Sequence, residues 1–265
     1  MIDTGTEQLL CEVDDGIALV TFNNPAKHNA LSAPIRAALP TLLRALQADD
    51  EVRVVVLTGA GEKAFVSGAD ISEFGSQRTT ADARAAFDAA QLDAGRAWLE
   101  LEKPILAMIR GYCIGGGLLT ALQADIRVCS EDSQFGVPAA RLGLGYGFGG
   151  VDQLMQLVGP SWASEILFSA RRLTATEALQ VGLVNRVVTV DALRDEVWML
   201  AGAIRDNAPL TVRALKVAIR EARRDPAKRD LDRVASLVEA CFRSEDYREG
   251  QAAFMEKRRP AFRGR

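Results

Sequence analysis

The chain contains one histidine, His28, and only four cysteines, at positions 11, 113, 129 and 241 of 265 residues. Both scarcities exclude chemistry. A serine-type triad would depend on His28, and a zinc site would have to gather cysteines from distant segments. No metal is expected. The cysteines also form no spaced framework of pairs, which suggests a reduced, cytoplasmic protein. Nowhere do about 18 apolar residues follow one another, and the opening MIDTGTEQLL lacks the basic-then-apolar order of a secretion signal. No membrane partner is expected. An excess of one charge is missing too: 32 Lys and Arg stand against 35 Asp and Glu, a net of −3, which leaves no general footprint for nucleic acid.

What remains is an ordinary globular composition, 48% hydrophobic and 25% charged, with too few glycines (22) and prolines (9) for a collagenous chain. The charge is uneven along the chain. Residues 211–265 hold 15 Lys and Arg against 9 Asp and Glu, a net of +6, so the first 210 residues carry −9. Such a basic quarter can face an anionic ligand.

Short apolar β-branched runs alternate with segments of helical period over the first 190 residues, which is α/β patterning. The expected strands are Ile17–Phe22, Val52–Thr58, Ile105–Ile109 and Ile126–Cys129, the middle ones apolar enough to be covered on both faces. Ser32 is placed to cap a helix running to about Ala48, and Thr80–Glu102 carries a long alanine-rich helical pattern. Thr174-Ala-Thr-Glu177 reads as a capping box opening a short helix that ends near Gly182. Beyond Val187–Val190 the patterns are helical, broken at Asn207-Ala-Pro209, at Asp225-Pro226 and around Ser244.

Three glycine-rich segments stand out. Gly59 to Asp70 follows a buried strand, and ligands of α/β folds gather beyond the carboxyl ends of strands. In Gly111-Tyr-Cys-Ile-Gly115-Gly-Gly117 a strand ends, a glycine turn follows and a helix begins near Gly117. Glycines there let a ligand carbonyl approach bare backbone N–H groups with the positive end of a helix behind them. Gly143 to Gly150 contains G-x-G-x-x-G, but Pro138-Ala-Ala-Arg-Leu before it is a poor strand and the string lies mid-chain, so nucleotide binding is not expected there.

Taken in order, Asn23-Asn-Pro-Ala-Lys27-His-Asn29-Ala-Leu31-Ser, Ala64-Phe-Val-Ser-Gly68-Ala-Asp70, Gly111-Tyr-Cys-Ile-Gly-Gly-Gly117, Ala124-Asp-Ile-Arg127, Phe135-Gly-Val-Pro138, Leu173 to Val184 and Phe254-Met-Glu-Lys-Arg-Arg-Pro260 resemble the crotonase superfamily of enoyl-CoA hydratases and isomerases. The resemblance covers nearly the whole chain. It implies an α/β fold with a crotonase-like ββα spiral core over residues 1–190, which binds the CoA thioester, and a helical C-terminal oligomerisation region over 191–265. It also implies trimers or dimers of trimers, and coenzyme A brought in only as part of the substrate, with no separate cofactor. By position in the motifs, the backbone N–H groups of Ala69 and Gly116 would bind the thioester oxygen and stabilise an enolate. Lys27, Ala30 and Leu31, then Ala69, Asp70, Ile71 and Ser72, would line the CoA side. Lys257 or Arg258 of the last helix would come near the ADP end, which gives the basic quarter a purpose.

The resemblance also breaks at two telling positions. Hydratases of the superfamily use one glutamate two residues beyond the glycine triplet and another directly after the proline of F-G-x-P. Here those positions hold Leu119 and Ala139. Each positioned acid or base contributes about 10²–10⁴ in rate, so an acyl-CoA enzyme that hydrates poorly is expected. Leu118, Leu119 and Ala139 instead suggest an apolar cavity suited to isomerisation, decarboxylation or plain binding. Tyr146 stands where the similar methylmalonyl-CoA decarboxylases carry a tyrosine near the substrate carboxylate; it is a catalytic candidate or an aromatic lining of the acyl pocket. A non-catalytic acyl-CoA-binding protein is the remaining alternative. Asp125 reads as a structural turn residue and His28 as surface loop.

Overall fold

The structure, a computed structural model, describes residues 1–70 and 81–265, apart from the side chains of 81–84 and 86–88. One sheet is built from Leu9–Asp14 (β1), Ile17–Phe22 (β2), Val54–Gly59 (β3), Ile105–Ile109 (β5), Ile126–Ser130 (β7) and Arg186–Val188 (β10), side by side in that order. The hairpin of β1 and β2 is antiparallel and every other neighbour is parallel. A second sheet holds Ala64–Val66 (β4), Tyr112–Ile114 (β6), Gln134–Gly136 (β8) and Leu173–Thr174 (β9), with only the last pair antiparallel. Each of β3, β5 and β7 thus turns a corner into a short strand of the second sheet. Helices follow two of these turns: Ala81–Glu100 (α2) comes after β4, and Gly116–Leu122 (α3) directly after β6. This strand, corner, strand, helix repeat is the ββα spiral that the sequence resemblance implied.

The corners require glycine where the backbone folds onto itself. A Cβ on Gly111, which has φ of 66°, would lie 2.1 Å from the Lys63 carbonyl oxygen. One on Gly117 would lie 1.9 Å from the Val66 carbonyl oxygen, because α3 rests directly on β4. Gly117→Ala is therefore expected to lower stability by about 3 kcal/mol or more, at the upper end of overpacking costs, read as a fall in the urea midpoint.

The apolar strands are apolar on both faces because both are covered. Val55, Leu57, Ile105, Ala107 and Ile109 point into a core shared with Ala33–Ala48 (α1), with α2 and with the second sheet. Val54, Val56, Leu106, Met108 and Val128 point the other way, against Leu193, Val197 and Ala201 of Leu193–Arg205 (α6). Phe148–Ser169 (α4) and the capped Ala175–Gln180 (α5) pack between β8 and β10 in sequence, and the capping box Thr174–Glu177 is formed at both of its bonds. The remaining helices are Pro209–Ala222 (α7), Leu231–Arg243 (α8) and Glu245–Glu256 (α9). Charges tie this region to the strands. Lys216 of α7 is buried and donates to the Lys103 carbonyl (2.7 Å) while pairing with Asp125 (2.9 Å). Asp125 also accepts from the Ile105 N–H at the start of β5 (2.7 Å), the structural part expected of it. Glu102, 4% exposed, is held by Arg213 at 2.6 Å and by Arg233. Both guanidiniums offset the cost of burying that carboxylate.

Candidate active site

The site begins with a loop pinned by one asparagine. Residues Pro25–Lys27 form a 3-10 turn, after which His28 and Asn29 take left-handed backbone (φ of 51° and 57°). Asn29 is 1% exposed. Its side chain donates to the carbonyls of Ala60 (2.9 Å) and Ala64 (2.7 Å) and accepts from the Asn24 N–H (3.0 Å). Two bonds from one amide thus tie the loop 23–31 to the β3–β4 corner and the third closes the loop on itself, and an asparagine tolerates the left-handed conformation they need. His28 is exposed, as expected of a surface loop residue.

The same loop sets the direction of Ala69. Leu31 donates its N–H to the Gly68 carbonyl (2.7 Å) and accepts from the Asp70 N–H (3.3 Å), a parallel bridge between Leu31 and Ala69. In such a bridge the flanking residues make the bonds, so the N–H of the central residue points to the other side. Among the described residues the Ala69 N–H meets no acceptor.

Gly116 approaches from that side. Gly115 has φ of 55° and ψ of −117°, a conformation open to glycine, and is anchored by its N–H to the Gly136 carbonyl (2.8 Å). The turn makes Gly116 the first residue of α3, whose N–H has no partner within the helix and lies at its positive end. A Cβ on Gly116 would stand 3.4 Å from the Ala69 nitrogen, and one on Gly68 would stand 3.7 Å from the Gly116 nitrogen. The glycines at 68 and 116 thus leave no side chain between the Ala69 and Gly116 nitrogens.

The walls are mixed in character. Leu31 is half-buried with its Cδ1 3.5 Å from the place of a Gly116 Cβ, and Ala30 beside it is buried. On the loop side, Lys27 is half-exposed and pairs with the buried Asp70 (Nζ to Oδ2, 2.6 Å), while Ser67 bonds back to the Lys27 and His28 carbonyls. The Lys27 ammonium neutralises a carboxylate that would otherwise be costly to bury. Ile71 and Ser72, expected to line the CoA side, lie outside the described residues.

On the helix side, Leu119 follows Gly116 by one turn and donates its N–H to the Gly115 carbonyl (3.1 Å). Ala139 lies in a 3-10 turn, Pro138–Leu142, and is 9% exposed; Pro138 Cδ is 3.7 Å from where a Gly115 Cβ would be. Tyr146 closes this wall. Its ring and the Leu119 side chain converge on Gly150, where a Cβ would lie 3.2 Å from Tyr146 Cε1 and 2.7 Å from Leu119 Cδ2. The Tyr146 hydroxyl is buried without a hydrogen-bond partner among the described residues, and burial pushes its ionisation well above the usual phenol range, so it stays protonated. The structure thus brings Leu31, Ala69, Asp70 and Gly116 near one another, with Ala30 beside Leu31, and Leu119 and Tyr146 together over Gly150 further along α3. Lys257 is exposed at the left-handed C-terminus of α9. Arg258 is engaged by Glu249 and Glu256.

The string Gly143 to Gly150 follows a 3-10 turn and not a strand, so it lacks the strand-to-helix setting of a dinucleotide loop. Among the described residues no three His, Cys, Asp or Glu side chains gather as metal ligands, and no helix is long and apolar enough to cross a membrane. Asn29 is the residue whose part the sequence did not assign. It lies in the stretch from Asn23 to Ser32, and its type, tolerant of left-handed backbone, is the signal that the sequence offers.

The spiral fold defines a class of protein, and comparison with known proteins agrees with it. The family model for enoyl-CoA hydratase/isomerase matches residues 12–265, so the chain belongs to the enoyl-CoA hydratase/isomerase family. It is similar to the short-chain-enoyl-CoA hydratase of Clostridium acetobutylicum, 36% identical over 251 residues and 95% of both chains. It is also similar to the carnitinyl-CoA dehydratase of Salmonella paratyphi A, 37% identical over 254 residues, 93% of this chain and 94% of that one. Among solved structures, an enoyl-CoA hydratase/carnithine racemase from Magnetospirillum magneticum superposes with a TM-score of 0.91 at 36% identity, over 98% of this chain and 97% of that one.

Proposed function

We propose that the chain is an enzyme acting on an acyl group carried as a coenzyme A thioester, whose carbonyl oxygen is held by the backbone N–H groups of Ala69 and Gly116. The observation that supports this reading is that, among the described residues, neither the Ala69 nor the Gly116 N–H meets an acceptor, while glycines at 68 and 116 keep side chains out from between them. When the α carbon loses a proton, negative charge moves onto the thioester oxygen. Donors already aimed at that oxygen stabilise the enolate without reorganisation, and the N-terminus of α3 adds its dipole. Lys27, Ala30, Leu31 and Asp70, with Ile71 and Ser72, form the CoA side of this reading, and Lys257 the contact to its phosphates. The reaction needs no cofactor beyond the CoA of the substrate.

The acyl side is read as Leu119, Ala139 and Tyr146. No carboxylate stands at 119 or 139 to activate water, so hydration is slow, and the dry wall favours shifting a double bond over adding water to it. Self-association as a trimer or a dimer of trimers is part of the proposal. Leu231, Val238 and Phe242 of α8 and Tyr247, Phe254 and Met255 of α9 are all exposed on the single chain, an apolar surface suited to a second copy. A cytoplasmic location completes the reading.

Calorimetric titration of the protein with acetyl-, butyryl-, crotonyl- and octanoyl-CoA, followed by mass spectrometry of the products, tests it. Binding with conversion is expected. Binding of all four without conversion of any favours the non-catalytic acyl-CoA-binding alternative, and no binding at all overturns the CoA reading.

A further inference from the structure

The amino ends of β3 and β5, far from the corners that lead to Ala69 and Gly116, border a cavity of about 320 Å³. It lies between Arg53 and Lys103, just before the two strands, the first turn of α7 and the tail after α9. That volume is in the range of small-molecule sites. Val52, Pro104, Ile204 and Leu210 give it apolar walls, and Arg53, Lys103 and Arg263 bring cations to it from three distant segments. Arg53 donates to the carbonyls of Arg205 (3.2 Å) and Phe262 (2.8 Å), and Lys103 to those of Leu46 (2.7 Å) and Asp49. These acceptors are neutral. Among the described residues none of the three cations forms an ion pair, and the Arg263 guanidinium makes no hydrogen bond. Of the other charges on the lining, Arg213 pairs with Glu102 and Arg265 with Glu245, which leaves Asp50 as the one lining acid outside an ion pair. The tail itself is fixed. Asp246, 3% exposed, accepts from the N–H groups of Arg263 (2.7 Å) and Gly264 (2.8 Å), so the backbone is held while the Arg263 side chain is left over. Burial holds the Lys103 ammonium below the usual lysine range, although Asp49 and Asp50 act the other way.

We propose that this cavity is a second binding site, separate from the acyl-CoA site, for a small organic anion: a carboxylate on a short apolar body. The donors are at hand. A guanidinium carries five N–H groups and an ammonium three, and the carbonyls named above take two from Arg53 and two from Lys103, while Arg263 keeps all of its own. Bonds from these groups to a carboxylate are charge-assisted and stronger than those to a neutral oxygen. Three unpaired cations against one unpaired acid select an anion over its neutral amide. The apolar walls select an organic anion over a strongly hydrated inorganic one, which would lose water to them without return. A carboxylate bound there joins the starts of β3 and β5 to the tail, so it stabilises the folded chain by mass action.

The test titrates the full chain by calorimetry with hexanoate, hexanamide and inorganic phosphate. One hexanoate per chain is expected, bound about tenfold or more tighter than hexanamide or phosphate. Arg263→Gln is expected to weaken hexanoate binding about tenfold, and Leu210→Trp, which fills the apolar side of the cavity, to abolish it. Because the Arg263 side chain makes no bond in the free protein, Arg263→Gln is also expected to keep the wild-type melting midpoint, which separates lost binding from lost folding. Saturating coenzyme A is expected to leave the hexanoate affinity unchanged, since the two sites lie at opposite ends of the same strands. Absence of hexanoate binding overturns the proposal. So does hexanamide or phosphate binding as tightly as hexanoate, wild-type affinity in either variant, or displacement of hexanoate by coenzyme A. None of these outcomes touches the acyl-CoA reading, which its own titration decides.

Discussion

Replacing Gly116 by alanine is expected to slow turnover of the acyl-CoA found by the product screen about 10²–10³-fold, equivalent to about 2.7–4 kcal/mol of lost transition-state stabilisation. The size follows from where the new methyl goes. It would stand 3.4 Å from the Ala69 nitrogen and 3.5 Å from Leu31 Cδ1, in the space that an oxygen bound to both donors has to occupy. Gly116 does not have the left-handed backbone of Gly115, and its Cβ meets no backbone atom closer than that 3.4 Å contact, so α3 is expected to stay in place. Gly116→Ala should thus keep the wild-type urea midpoint and lose rate. Its neighbour Gly117, pressed against β4, should lose stability instead. Steady-state kinetics and denaturation of the two variants separate a binding-space effect from a packing effect at adjacent positions. Wild-type kinetics in Gly116→Ala would remove this residue from the site.

The second large effect is a rate that should be low. Hydration of crotonyl-CoA by the wild-type protein is expected to be at least about 10²-fold slower than that of a family hydratase carrying glutamates at both positions. Leu119 and Ala139 leave no acid or base beside the place where water would add, although the oxyanion donors remain. Measured loss of the enoyl absorbance in parallel for the two enzymes decides the point. Comparable turnover would mean that another residue activates water, and the reading of positions 119 and 139 would fall.

Much of the proposed site was legible in order along the chain because the parts assigned to it are backbone. Glycines at 68, 115, 116 and 117 are visible as letters, and the ends of β5 and α3 follow from an apolar run and a glycine turn. The long strands and helices were legible for the same reason, with edges displaced by a few residues: β3 begins at Val54 and not Val52. What escaped has a physical cause in each case. The strands β4, β6, β8 and β9 are two or three residues long, too short for any alternation to register, and they exist because the strands beside them supply the bonds. The strand β1 was missed although Asp15-Gly16, both with positive φ, makes a tight turn into β2 that the pair of letters signals. The meeting of Leu119 with Tyr146 over Gly150, and the burial of a phenol hydroxyl without a partner, arise from packing between segments far apart in sequence, which no local pattern records.

The most direct test of the central claim is the infrared spectrum of crotonyl-CoA labelled with carbon-13 at the thioester carbonyl, bound to the wild-type protein and to Gly116→Ala. Two backbone donors on one oxygen weaken the carbonyl bond. The account predicts a carbonyl band displaced to lower frequency in the wild-type complex and returned toward its free position in the variant. A band in the wild-type complex unchanged from free crotonyl-CoA would contradict it.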